Sequence, residues 1–189
     1  MKKITTYVFT AILLYAVTAG SFARQGDFEI SGGVLVRYLG NAAEVAVPYG
    51  VTVIGEWAFY GCESLEAITL PTSLTTIEAW AFSGCAGLKT VALPEGLTTI
   101  GRWAFSYCRS LKPVTLPASI TAIGYRAFYN CGSLESITLL ALKPPVLGGG
   151  MGAPAPRVIY VPAAALEAYR NAEGWKNYTN RIRAQTAGP

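Results

Sequence analysis

The side chains whose type and spacing first suggest chemistry are four cysteines, three tryptophans and one arginine. Cys62, Cys85, Cys108 and Cys131 recur at a step of 23 residues. In an oxidising compartment four cysteines would ordinarily pair into two disulfides. One cysteine per repeat at a constant position instead makes an inward ladder, each thiol acting as a small apolar group. Free buried thiols are therefore expected, although Cα atoms about 5 Å apart would still permit a bridge between neighbours. A metal needs donors that converge on a point, and a linear ladder does not converge. The chain contains no histidine, which removes the commonest general base, the Ser-His and Cys-His nucleophile pairs and every histidine-containing zinc site. Glycoside hydrolysis needs two facing carboxylates, and Glu56, Glu63, Glu66, Glu78 and Glu95 share no column. No catalytic residue, cofactor or metal is expected.

Trp57, Trp80 and Trp103 also stand 23 residues apart, and Arg126 occupies the next position of that column. If the column faces outward, the indoles form an aromatic row closed by a guanidinium, suited to stacking on a sugar ring or anchoring a protein partner. Alternatively they lie flat over the surface and shield the coils beneath, the arrangement favoured by the usual burial of large aromatics.

These columns belong to a repeat that organises most of the chain. Pro48, Pro71, Pro94 and Pro117 keep the same step, as do Phe59, Phe82, Phe105 and Phe128 and the columns headed by Thr52, Ile54, Ala58, Leu65 and Leu70. Residues 65–71 read Leu-Glu-Ala-Ile-Thr-Leu-Pro, a short strand ended by proline. Stacked units would set such strands side by side in a parallel sheet at about 4.8 Å spacing. The remainder of each unit returns across the opposite face by short β or 3-10 turns, with Ile77, Ala81, Phe82 and Cys85 pointing inward. One coil cannot bury its own apolar side, so stability must come from stacking three or more.

The fold expected is a solenoid of four repeats over residues 48–140, between an N-terminal cap over 24–47 and a closing segment over 141–189. In the first cap, residues 33–38 form a strand or hairpin, and Glu44-Val45-Ala46-Val47 repeats the strand pattern. After Leu139 the period fails. Residues 141–157 are rich in proline and glycine and read as a loop. Val158-Ile159-Tyr160-Val161-Pro162 then resumes the strand pattern. A small capping helix over 163–173 follows, stopped by Gly174, with Trp175 folded back onto Tyr169.

The sheet's open side would present Ala67, Thr69, Thr90, Ala92, Thr115, Ser136 and Thr138, small and uncharged residues that suit a flat protein contact or a plain solvated surface. Thr69, Thr115 and Thr138 join the tryptophan column as candidate binding residues. The Thr52 column reads as a hydrated ladder.

Residues 1–23 are read as a cleaved export signal: Met1-Lys2-Lys3 is basic, Ile4–Ala19 is uncharged and apolar, and Ser21-Phe22-Ala23 offers small residues to a peptidase. Without Lys2 and Lys3, 13 of the 15 basic residues stand against 11 acidic ones, so no electrostatic footprint for nucleic acid or anionic lipid remains. No later stretch is long enough to span a membrane. The localisation expected is secreted, cell-surface or periplasmic.

The recurring pattern Leu-x-x-Ile-x-Leu-Pro-x-x-Leu-x-x-Ile-x-x-x-Ala-Phe-x-x-Cys resembles the BspA-type leucine-rich repeats of bacterial exported proteins, and Ile159-Tyr160-Val161-Pro162 with Tyr169 and Trp175 is similar to that family's closing segment. The resemblance implies a leucine-rich repeat solenoid and a secreted or surface protein, some relatives resembling adhesins for host matrix proteins or other bacteria. In the family pattern the position before Ala-Phe is a variable outward one, so tryptophan there is a departure. The function expected is a non-enzymatic module binding a protein or a glycan. A structural envelope component is the other possibility, although four coils would span only about 20 Å.

Overall fold

Each unit forms two short strands because each has two apolar runs bounded by residues that cannot continue a ladder. Proline, which has no N–H, closes the first run, and a turn at Gly or Glu closes the second. The computed structural model describes residues 23–153 and 156–185. All but the last residue of the expected export signal lies outside them.

The strands are β1 (Phe28–Ser31), β2 (Val34–Tyr38), β3 (Glu44–Ala46), β4 (Val53–Ile54), β5 (Ala67–Thr69), β6 (Thr76–Ile77) and β7 (Thr90–Ala92). Then follow β8 (Thr99–Ile100), β9 (Val114–Leu116), β10 (Ala122–Ile123), β11 (Ser136–Leu139), β12 (Val146–Leu147), β13 (Val158–Val161) and β14 (Ile182–Ala184). They stack as a leucine-rich repeat solenoid. On one side, β2, β4, β6, β8, β10 and β12 run parallel in that order, and β1 closes the edge as an antiparallel hairpin with β2. On the other side lie two parallel sheets, β3-β5-β7 and β9-β11-β13-β14.

The 23-residue step is visible as register: Val53 pairs with Thr76, Thr76 with Thr99, and Thr99 with Ala122. The threonine column holds that register. Thr75, Thr98 and Thr121 each donate both backbone N–H and side-chain Oγ1 to the carbonyl of the same column one coil earlier, at 2.8 Å and 3.1–3.2 Å respectively. Only a residue with a β-hydroxyl makes that second bond, which accounts for a threonine in all four repeats beside a strand position that varies among Val53, Thr76, Thr99 and Ala122.

Between the sheets runs one elongated core. Phe59, Phe82, Phe105 and Phe128 are buried and stacked, with centroids 5.0–5.5 Å apart. Tyr38 of the hairpin extends the row, 5.0 Å from Phe59. Such offset aromatic pairs contribute about 0.5–1.5 kcal/mol each beyond the area they bury.

Two places depart from the expected pattern. Residues 141–153 do not form a loop outside the solenoid but a further coil. Val146 and Leu147 pair with Ala122 and Ile123, a step of 24 rather than 23, and Met151, fully buried, accepts the Phe128 N–H through its carbonyl. One inserted residue, and Met151 in place of the alanine whose carbonyl accepts from the phenylalanine column in other coils, hide this coil from a fixed period. The second departure is the division between β7 and β9. Pro113 stands where Ala67, Thr90 and Ser136 stand in other coils. Without an N–H it interrupts pairing, and after Lys112 N bonds Lys89 O at 3.0 Å the two strands share no backbone hydrogen bond.

The C-terminal end is closed by a 3-10 turn at Ala163–Ala165 and a short helix α1 (Leu166–Asn171). Gly174, at φ 78°, reverses the chain and Trp175 packs edge-on against Tyr169 at 5.0 Å. Both buried rings have their polar atoms satisfied: Trp175 Nε1 donates to Pro145 O at 2.7 Å and Tyr169 Oη to Ala141 O at 2.9 Å.

Candidate functional site

The tryptophan column sits at a turn whose backbone is left-handed. Trp57, Trp80, Trp103 and Arg126 have φ of 65°, 60°, 57° and 53°, a conformation bulky residues seldom adopt. It lets each N–H point along the solenoid axis to the next coil: Trp57 N bonds Ala79 O, Trp80 N bonds Arg102 O, and Trp103 N bonds Tyr125 O, at 2.9–3.3 Å. The same geometry projects the side chains outward.

The indoles do not lie flat over the surface. Trp57 and Trp80 are 5.0 Å apart and inclined by 3°, and Trp80 and Trp103 are 4.9 Å apart and inclined by 4°. Coplanar indoles at that separation would overlap, so the rings are stacked face to face along the axis. Trp80 has an indole on either side. Trp103 lies between Trp80 and the Arg126 guanidinium, whose carbon is 5.1 Å from the ring centroid. What reaches solvent is mainly a line of ring edges, and Trp57 is the most open of the three at 45% exposure.

Tyrosines flank the stack. Tyr60 meets Trp57 edge-on at 4.8 Å, Tyr125 and Tyr129 meet Trp103 at 5.8 and 5.2 Å, and Tyr107 meets Tyr129 at 5.5 Å. Tyr60, Tyr107 and Tyr125 are themselves exposed. The result is one continuous aromatic band across four coils with a single cation at its C-terminal end. Tyr60 and Tyr129 share the column after the phenylalanine, which Ser83 and Ser106 fill in between, whereas Tyr107 and Tyr125 recur in none of the four repeats, so the periodic signal is weak. The signal available in sequence was their nearness to the Ala-Phe position of each unit.

Thr69, Thr115 and Thr138 are on the other side of the molecule, on strands β5, β9 and β11. Thr69 and Thr115 line a shallow groove of about 570 Å³ at the β7–β9 division, together with Thr90, Glu95, Pro113 and Pro117. Thr138 is not part of it. The candidate residues therefore fall on two faces separated by the core.

The cysteine ladder is internal chemistry. Cys85, Cys108 and Cys131 donate from Sγ to the carbonyls of Phe59, Phe82 and Phe105 one coil earlier, at 3.0–3.2 Å. All four are free thiols, and only Cys62 is partly exposed. Burial pushes the Cys62 and Cys131 thiols up to about 12, and the neighbouring Cys85 thiol, together with burial, keeps Cys108 protonated well above the ordinary range. Such thiols are poor nucleophiles. Among the described residues no group of three or more cysteines and carboxylates could hold a metal ion, and no helix is long and apolar enough to cross a membrane.

Comparison with known proteins agrees with this architecture. Residues 37–143 match the model of the BspA-type leucine-rich repeat region, in six copies. A leucine-rich repeat protein of Treponema pallidum (T. pallidum), TpLRR, is 24% identical with a TM-score of 0.53, over 89% of this chain and 100% of that one. A leucine-rich repeat protein from Bacteroides capillosus is 31% identical with a TM-score of 0.54, over 62% of this chain and 96% of that one. The pneumococcal vaccine antigen PcpA is 19% identical with a TM-score of 0.62, and the alignment covers 82% of this chain but only 45% of PcpA's. No curated protein matches the sequence.

Proposed function

The chain belongs to the BspA-type leucine-rich repeat family, and from that premise we propose that it is an exported, non-enzymatic recognition module whose aromatic band docks a protein surface. The observation that carries this reading is the stack of Trp57, Trp80 and Trp103 with its flanking tyrosines. Trp and Tyr are the residues that most often dominate protein interfaces, because they bring large rigid area at little entropic cost. A contiguous exposed group of them on a soluble scaffold calls for a partner. Family membership points the same way, towards a binding or adhesion module without catalysis. Export rests on the basic start and apolar run of residues 1–23.

Protein is preferred over glycan on geometric grounds. A sugar ring stacks on an indole face, and the faces inside this stack are occupied by other indoles or by Arg126. Ring edges and phenol hydroxyls remain, which suit the mixed apolar and hydrogen-bonding surface of a protein.

The test is a binding screen of the purified protein against host matrix proteins, bacterial surface proteins and a glycan array, with Trp57→Ala as control. The expected outcome is binding to a protein that weakens about tenfold or more in the variant while the variant still unfolds cooperatively well above the assay temperature. Binding to glycans alone, or protein binding that the variant leaves intact, overturns the proposal.

A further inference from the structure

Arg126 ends the tryptophan column, and among the described residues it is the cation that packs against aromatic rings. Its guanidinium carbon lies 5.1, 4.8 and 5.2 Å from the ring centroids of Trp103, Tyr125 and Tyr129. Among the described residues the ion pairs are Lys89 with Glu66 and Arg170 with Glu167. Neither a carboxylate nor a carbonyl accepts from the Arg126 side chain there. Three rings thus position a group that carries five N–H donors and uses none of them within the described residues.

Beside it is a pocket of about 240 Å³, lined by Tyr125, Arg126, Tyr129, Tyr178 and the glycines of residues 149–152. Gly149, Gly150 and Gly152 have φ of 106°, 119° and 139°. They let the backbone press against the pocket's tyrosines: a Cβ on Gly152 would stand 2.6 Å from Tyr129 Cα, and one on Gly150 3.1 Å from Tyr178 Oη. The backbone N–H of Arg126 fastens this segment by donating to Gly150 O at 2.7 Å. Tyr178 Oη accepts the Met151 N–H at 3.0 Å, which leaves its own proton free to donate into the pocket. A planar cation, a phenol donor and a rim of glycines with the small Ala153 make a donor-rich cavity with no anionic group among the described residues that line it.

We propose that this pocket is a carboxylate-binding subsite at the C-terminal end of the aromatic band, and that the partner fills it with a glutamate or aspartate side chain. Rings against a guanidinium leave its N–H edge as the direction for hydrogen bonding, and a carboxylate matches that edge with two parallel bonds. Desolvation by the rings strengthens the contact relative to one in open water. The choice of a protein carboxylate rests on the protein-docking reading above.

The experiment follows the Arg126 Nε–H resonance of the isotope-labelled full chain during titration with N-acetylglutamate α-amide, its glutamine counterpart and D-glucuronate. The glutamate probe is expected to shift the resonance saturably, and the neutral counterpart to bind at least about tenfold more weakly. Arg126→Gln should abolish the response of a Tyr178 ring signal to the same probe. Arg126→Lys, which keeps the charge and loses the fork, should weaken it several-fold, and serves if the Gln variant does not fold. No saturable shift, or an equal response to the neutral probe, overturns the subsite. D-glucuronate binding tenfold more tightly than the glutamate probe overturns the assignment to protein. Trp57→Ala, at the far end of the stack, should leave the carboxylate response intact. Loss of the docking reading and loss of this one are thereby distinguishable: either measurement can fail while the other succeeds.

Discussion

At the scale of single residues, the cysteines show how a reactive side chain becomes structural. Each buried Sγ is committed to a phenylalanine carbonyl of the preceding coil, and ionising it would remove the donor and place a charge in the core. The folded-state values of Cys62 and Cys131 are raised to about 12 from an ordinary 9.0, so the thiols favour folding fully below pH 9. That contribution declines as the pH rises from 9 towards 12, because the unfolded chain loses its protons first. The unfolding free energy from urea titration should therefore be flat from pH 6 to 8 and fall by pH 10, by about 1 kcal/mol for a well-buried thiol such as Cys131. A variant with all four cysteines replaced by alanine should lose that fall, whatever its stability at pH 7. Denaturation curves at pH 7 and pH 10 check this, and an unchanged slope in the variant would show that other groups titrate.

At the scale of elements, the division at Pro113 is the weakest lateral contact in the strand face. Since β7 and β9 share no backbone hydrogen bond, amides of Val114–Leu116 should exchange with solvent faster than those of β11, which is paired on both sides. Pro113→Thr restores the donor found in neighbouring coils and should slow that exchange several-fold; equal protection in both proteins would mean that the proline is not the cause. The same element marks the limit of what the sequence discloses. The strands, the phenylalanine row and the threonine ladder are legible because a constant step makes like residues spatial neighbours. The coil at 141–153 is not, since one inserted residue breaks the step while backbone pairing tolerates it. Of the binding candidates, the tryptophan column is legible as a column, whereas the orientation of its rings depends on the left-handed turn at each position. Tyr60 and Tyr129 share a column, but Tyr107, Tyr125 and the glycine-lined pocket at Arg126 arise from coils brought together in space and from no shared register.

At the scale of the whole molecule, stability should behave as a sum over coils and their interfaces. Removing residues 72–94, one full period, should leave a shorter protein that melts cooperatively at a lower temperature. Removing residues 72–93 shifts every later column by one residue and should abolish the cooperative transition. Circular dichroism melts of the two deletions decide the matter, and equal behaviour would mean that column register is not what holds the stack. Register also gives the molecule an optical property. Three near-parallel indoles at 4.9–5.0 Å bring their electronic transitions within coupling range, whereas Trp175 sits apart in the cap against Tyr169. The absorption and emission of these three rings consequently depend on coil-to-coil spacing, an intrinsic gauge of whether adjacent turns remain in contact.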